Sequence, residues 1–159
     1  LAPGAYTVTV RGANSSSGTG LVELYDLSPQ SNSKLANIST RGSVGTGDNV
    51  LISGFIVGEV GSATVIVRAL GPSLGPLGVS NPLSDPVLTI YDSKGTAIVT
   101  NDAWRDNVNA LDIQMHALSP PNERDSALVL HLPAGSYTAI VRGANGATGN
   151  ALVEVYDID

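Results

Sequence analysis

The chain has 159 residues and 42% apolar content, enough for one domain with its own core plus an appendage. A net charge of −6, with only eight Lys and Arg spread singly, leaves no basic stripe for a phosphate backbone, so no nucleic acid partner is expected. No run approaches the roughly 18 apolar residues of a membrane span, no cysteine is present, and the opening Leu1-Ala2-Pro3-Gly4 has no signal-peptide form, as expected of the middle of a longer or processed protein.

The composition, with 4% aromatic and 14% charged residues, 18 Gly and 9 Pro, favours short strands joined by turns. In "GAYTVTVRG" (4–12) Tyr6, Val8 and Val10 alternate with Thr7, Thr9 and Arg11, and "GLVELYD" (20–26) sets Val22 and Leu24 against Leu21, Glu23 and Tyr25. The Asn/Ser/Gly segment between them predicts a β-hairpin over residues 1–27, with Arg11 and Glu23 as a cross-strand surface pair. Residues 28–34, "SPQSNSK", read as a polar linker containing Pro29.

Beyond the linker, "NVLISGFIV" (49–57), "ATVIVRALG" (63–71), "PVLTIYD" (86–92), "TAIVT" (96–100) and "SALVLHL" (126–132) contribute to a count of about eight strands. "NALDIQMHAL" (109–118) is the one helical candidate, stopped by Pro120-Pro121. The chain closes with "LPAGSYTAIVRGANGATGNALVEVYD" (132–157). Laid over one another at an offset of 131 residues, 1–27 and 132–158 match at 15 of 27 positions, and Arg142 with Glu154 repeats the Arg11–Glu23 arrangement. A weaker third version runs from 63–71 to 86–92, so residues 35–159 read as two related halves. The economical architecture is all-β: an antiparallel β-sandwich of jelly-roll type over 35–159, with the N-terminal hairpin added. Val65, Val67, Leu88, Ile90, Tyr137, Val141, Val153 and Val155 are expected in its core.

Several residues carry chemical suggestions. "GPSLG" (71–75) fits a nucleophile elbow with Ser73 followed by Asp102 and His116 or His131, but Pro72 and Pro76 flank it and no strand-helix alternation surrounds it, which favours a plain turn and no catalysis. His116 and His131 lack zinc-ligand spacing, and His131 reads as an outward strand residue. Asp92, Asn101, Asp102 and Asp106, with Glu123 and Asp125 from another loop, offer oxygen ligands suited to calcium; the same residues equally form side-chain-to-backbone turns. Trp104 is read as either a sugar-stacking platform or a cap on the core.

The strand ending in Tyr91-Asp92, the Ser-Lys-Gly turn at 93–95, the Asn101-Asp102 loop and the Pro133-Ala134-Gly135-Ser136-Tyr137 strand entry resemble the bacterial pre-peptidase C-terminal domain and related repeats of large secreted bacterial proteins. The resemblance covers residues 86–158, while 35–85 fall outside its pattern. It implies a non-catalytic extracellular β-sandwich, in some members holding calcium.

A lone two-stranded hairpin is marginal in water. With an equivalent already inside 35–159, the first copy is expected to pack through Tyr6, Val8, Val10, Val22 and Leu24 on a neighbour, either a copy of the same chain or an adjacent repeat. The expected function is a structural module of an extracellular or cell-surface bacterial fibre, stalk or surface protein. The alternative is an adhesin or accessory module that binds a glycan or a protein.

Overall fold

The structure, a computed structural model, describes residues 1–27 and 36–159. The chain divides into two compact units, Leu1–Leu35 and Ala36–Asp159. The expected linker at 28–34 lies outside the described residues.

The larger unit is all-β. Its strands are β1 (Asn37–Val44), β2 (Leu51–Leu70), β3 (Pro86–Tyr91), β4 (Ala97–Asn101), β5 (Ser126–Gly143) and β6 (Gly149–Asp157). Every strand pair is antiparallel, in the order β1-β6-β2-β5-β3-β4. Exchanging β1, β2 and β3 with β4, β5 and β6 and reading from the opposite edge returns the same order, so the two triplets interlock about the central β2–β5 pair. The strands number six because 49–57 and 63–71 fuse into β2, and 126–132 runs on into the repeated segment as β5. β1 is an edge strand, mostly exposed along one side, whose "NISTRGSV" carries little apolar signal.

The two long strands turn a corner together. Residues 51–57 of β2 pair with 135–141 of β5, and 62–69 pair with 126–133, so residues 58–61 stand opposite Ala134 alone. This bulge bends the pair, with Gly61 at a φ of 93° that other residues rarely adopt. On one side of the bend, β1 and β6 attach to the second half of β2; on the other, β3 and β4 attach to the second half of β5. The result is two facing layers made from one folded sheet.

Period-two alternation aims the apolar residues between the layers. Val65, Val67, Ala69, Leu128, Ala151, Val153 and Val155 from the first layer share one core with Phe55, Val57, Leu88, Ile90, Tyr137, Ala139 and Val141 from the second. All eight core residues expected from the sequence are buried, and the Phe55 and Tyr137 rings stack at 5.6 Å. The outer face of the first layer is covered as well. Helix α1 (Ala110–Met115), within the expected 109–118, and the turn Trp104–Asp106 bring Trp104 and Ile113 onto Ala127 and Val129. The outer face of the second layer stays open, with Ile52 and Ile56 exposed.

The terminal copies need a correction. Residues 132–158 do not form a hairpin: β5 and β6 are not ladder partners. The second half of β5 lies between β2 and β3 in the second layer, whereas β6 lies between β1 and β2 in the first. The segment is therefore an arch that crosses from one layer to the other. Residues 1–27 likewise contain no strand ladder; their regular element is the 3-10 turn Ala13–Ser15. The arms of an arch find their hydrogen-bond partners in other strands, so a sequence that makes an arch has no reason to zip onto itself.

Candidate functional site

Residues 1–27 reproduce the turn and two tyrosine hydrogen bonds of 132–158. In the C-terminal arch the turn Ala144–Gly146 follows extended Gly143, holds Asn145 at φ 53°, ψ 29°, and closes with Ala147 N–H donating to Ala144 O at 3.0 Å. In the N-terminal copy Gly12 is extended, Asn14 sits at φ 51°, ψ 39°, and Ser16 N–H donates to Ala13 O at 3.0 Å. Asparagine tolerates the left-handed region, and the glycine before it is required in both copies: a Cβ there would fall onto the carbonyl oxygen of Ser16 or Ala147.

Two tyrosines repeat as faithfully. The Tyr137 hydroxyl donates to Pro133 O at 2.9 Å and that of Tyr6 to Ala2 O at 2.7 Å, each fastening a strand entry to its own start. The Tyr156 hydroxyl donates to Glu154 Oε1 at 2.9 Å and that of Tyr25 to Glu23 Oε1 at 3.1 Å. What differs is burial. Tyr6, Val8, Val10, Val22 and Leu24 are 52–69% exposed, whereas Tyr137, Ala139, Val141, Val153 and Val155 at the matching positions are at most 8% exposed. The tyrosine phenols register this difference. Both are held above the ordinary tyrosine value, Tyr25 chiefly by its bond to Glu23 and Tyr156 chiefly by burial, with Glu154 second.

The buried arch also has a charged anchor. Glu154 is paired with Arg68 of β2, directly opposite it in register, and not with Arg142, which lies in the other layer and faces outward. Arg68 also donates to Tyr156 Oη at 3.1 Å and to Leu118 O at 2.9 Å, and lies over the Tyr156 ring. One guanidinium thus joins the arch, the central strand and the segment covering the outer face. The expected Arg142–Glu154 pair is corrected accordingly. The usable signal was the third version of the repeat, "VIVRALG", which puts an arginine at position 68.

Ser73 has a structural place. Its hydroxyl donates to the fully buried Asp125 carboxylate and accepts from Asn122 N–H at 3.0 Å, while Asp125 also accepts from Gly71 N–H at 2.8 Å. The node ties the turn after β2 to the start of β5. The histidines sit elsewhere: His131 against Thr64 at 3.3 Å, and His116 on Asp112 O of its own helix at 2.8 Å.

The proposed oxygen ligands are not gathered by the fold. Asp92 closes the β3–β4 turn, accepting from Lys94 N–H at 2.9 Å and Thr96 N–H at 2.8 Å, and these donors, Thr96 first, hold its carboxyl below the usual range. Asn101 lies at the other end of β4, where its amide bonds Ala127 N–H and Ala103 O. Asp102 and Asp106 are exposed on the following loop. Among the described residues no three His, Asp or Glu side chains come together as a metal-holding group. Trp104 is buried, with its indole N–H on Asn122 O at 3.2 Å, so it caps the core and presents no platform to a sugar.

Fold and site together define an antiparallel β-sandwich module closed by a C-terminal arch, with residues 1–27 as a separate unit that repeats the sequence and turn of that arch. No protein-family model and no curated protein matches the sequence. Among solved structures the chain is similar to the pre-peptidase C-terminal domain of a collagenase from Bacillus anthracis, at 13% identity and a TM-score of 0.47, over 75% of this chain and 88% of that one.

Proposed function

We propose that the chain is a non-catalytic structural module of an extracellular bacterial fibre, stalk or surface protein, and that residues 1–27 complete the sandwich of a neighbouring module. The observation that carries this reading is the N-terminal copy itself. It already holds the turn and tyrosine bonds of an arch, while the five side chains that an arch buries face water. Burying them is worth about 1.5–3 kcal/mol each before ordering costs, and the arms offer backbone groups to strands on both layers. The neighbour's strands then take the parts of β1, β2 and β3, and Glu23 meets an arginine at the position Arg68 holds here. The donating and accepting surfaces differ, so the joint is heterologous and propagates without closing.

Deletion of residues 1–27 tests this. The remaining module should fold with an unchanged melting temperature and stay monomeric, under conditions where a preparation carrying its neighbour associates through the segment. Unfolding of the truncated module, or association that survives the deletion, overturns the reading. The second reading, a binding module, is favoured by the open outer face with Ile52 and Ile56; electron microscopy of native material separates the two, with filaments supporting the first and dispersed single particles the second.

A further inference from the structure

We infer that the module completed by residues 1–27 is a non-identical relative of this one, with a roomier core, and not a second copy of this chain. The inference rests on the arch reading above and makes its partner specific. Transferred at the offset of 131 residues, Tyr6, Val10 and Val22 find the same residue types at Tyr137, Val141 and Val153. Leu1 likewise falls on buried Leu132, but three other inward positions do not match. Val8 falls on Ala139, which is fully buried between Ser53 and Ile90 on the adjoining strands. Leu24 falls on Val155, flanked by Ile38 and Val67, and Gly20 falls on Ala151, opposite Gly42.

Val for Ala inserts two carbons where the packing is closed on every side, and Leu for Val adds a third. Gly for Ala returns one, at a different place in the core. Close-packed interiors do not shift free space from one site to another without strain. A sandwich built to receive residues 1–27 must therefore carry smaller side chains, or wider spacing, opposite Val8 and Leu24 than this module has opposite Ala139 and Val155. In a tandem array this gives each arch its own host and disfavours exchange with the wrong one.

Two full-length chimaeras test the inference. In the first, residues 132–158 are rewritten with the sequence of residues 1–27; the second is identical except that it keeps Ala at 139 and Val at 155. The second should fold cooperatively, and the first should melt about 5–10 °C below it, as expected for overpacking. Equal melting temperatures overturn the inference, because this module would then serve as host. A second chimaera that fails to fold overturns the arch reading itself, since relief of the two core positions would not have made the N-terminal sequence acceptable.

Discussion

Residues 132–158 and 1–27 share a turn, a tyrosine-to-carbonyl bond and a tyrosine–glutamate bond, but only the first set buries its inward side chains. The comparison separates two things that a folded protein normally presents together. Gly12-Ala13-Asn14 and Gly143-Ala144-Asn145 impose the same reversal whatever surrounds them, because the glycine and the left-handed asparagine act within a few residues. Burial is supplied from outside, by β1 and β2 for one arm of the arch and by β2 and β3 for the other. Identical local structure is thus compatible with opposite energetic situations.

Substitutions at paired positions test this difference in burial. The largest contrast is expected at the first tyrosine. Tyr137→Ala removes a buried ring stacked on Phe55 and should cost about 3–5 kcal/mol in chemical denaturation, while Tyr6→Ala should leave the stability of the same chain within about 0.5 kcal/mol. Equal losses would mean that the N-terminal copy is part of this module's own core. Next comes the charged anchor. Arg68→Ala strands Glu154 in a nearly buried position and should cost about 3 kcal/mol, whereas Glu23→Gln should have no measurable effect on denaturation until a host module is present.

A smaller effect is expected at Asp92, in the third version of the repeat. Its carboxyl is depressed in the folded chain, so its contribution is present above the ordinary carboxylate range and fades as pH falls through the lowered value. Melting curves of wild type and Asp92→Ala should differ at neutral pH and converge in acid. A chelator should move neither curve, because Asp92 and Asn101 lie at opposite ends of β4; a chelator-sensitive wild type would restore the calcium reading. The smallest effect is spectroscopic. Glu23→Gln should bring the Tyr25 phenol back towards its ordinary value in a titration followed by NMR, and an unchanged Tyr25 would show that its hydrogen bond to Glu23 does not set its acidity.

Much of this was legible in the sequence. Alternation gave the core, since Val65, Val67, Leu88 and Ile90 need only period two to be found, and self-comparison gave the repeat. The arch was not legible, because a turn that joins two ladder partners and one that joins two layers can have the same few residues, and the choice depends on strands far away in the chain. The fusion of 49–57 with 63–71 was hidden by the glycines at 58 and 61, which signal a break and here make a bend. Ser73 and Asp125 are 52 residues apart, and nothing local announces their bond. Trp104 could be a platform or a cap on composition alone; the fold decides by laying residues 104–118 across the outer face of the first layer.

One contact bears on how such a module carries load. Asp157 N–H donates to Ala36 O at 3.1 Å, and Asn37 stands opposite Tyr156, so the polypeptide enters and leaves the sandwich at a single point. Tension applied through the two ends peels β1 from β6 one hydrogen bond at a time, beginning at that point, and reaches the long β2–β5 pair last. In the array proposed above, such modules would act as a yielding tether. Each sandwich that opens pays out about 400 Å of extended chain, so a sudden pull is spread over length and time before any covalent bond is strained.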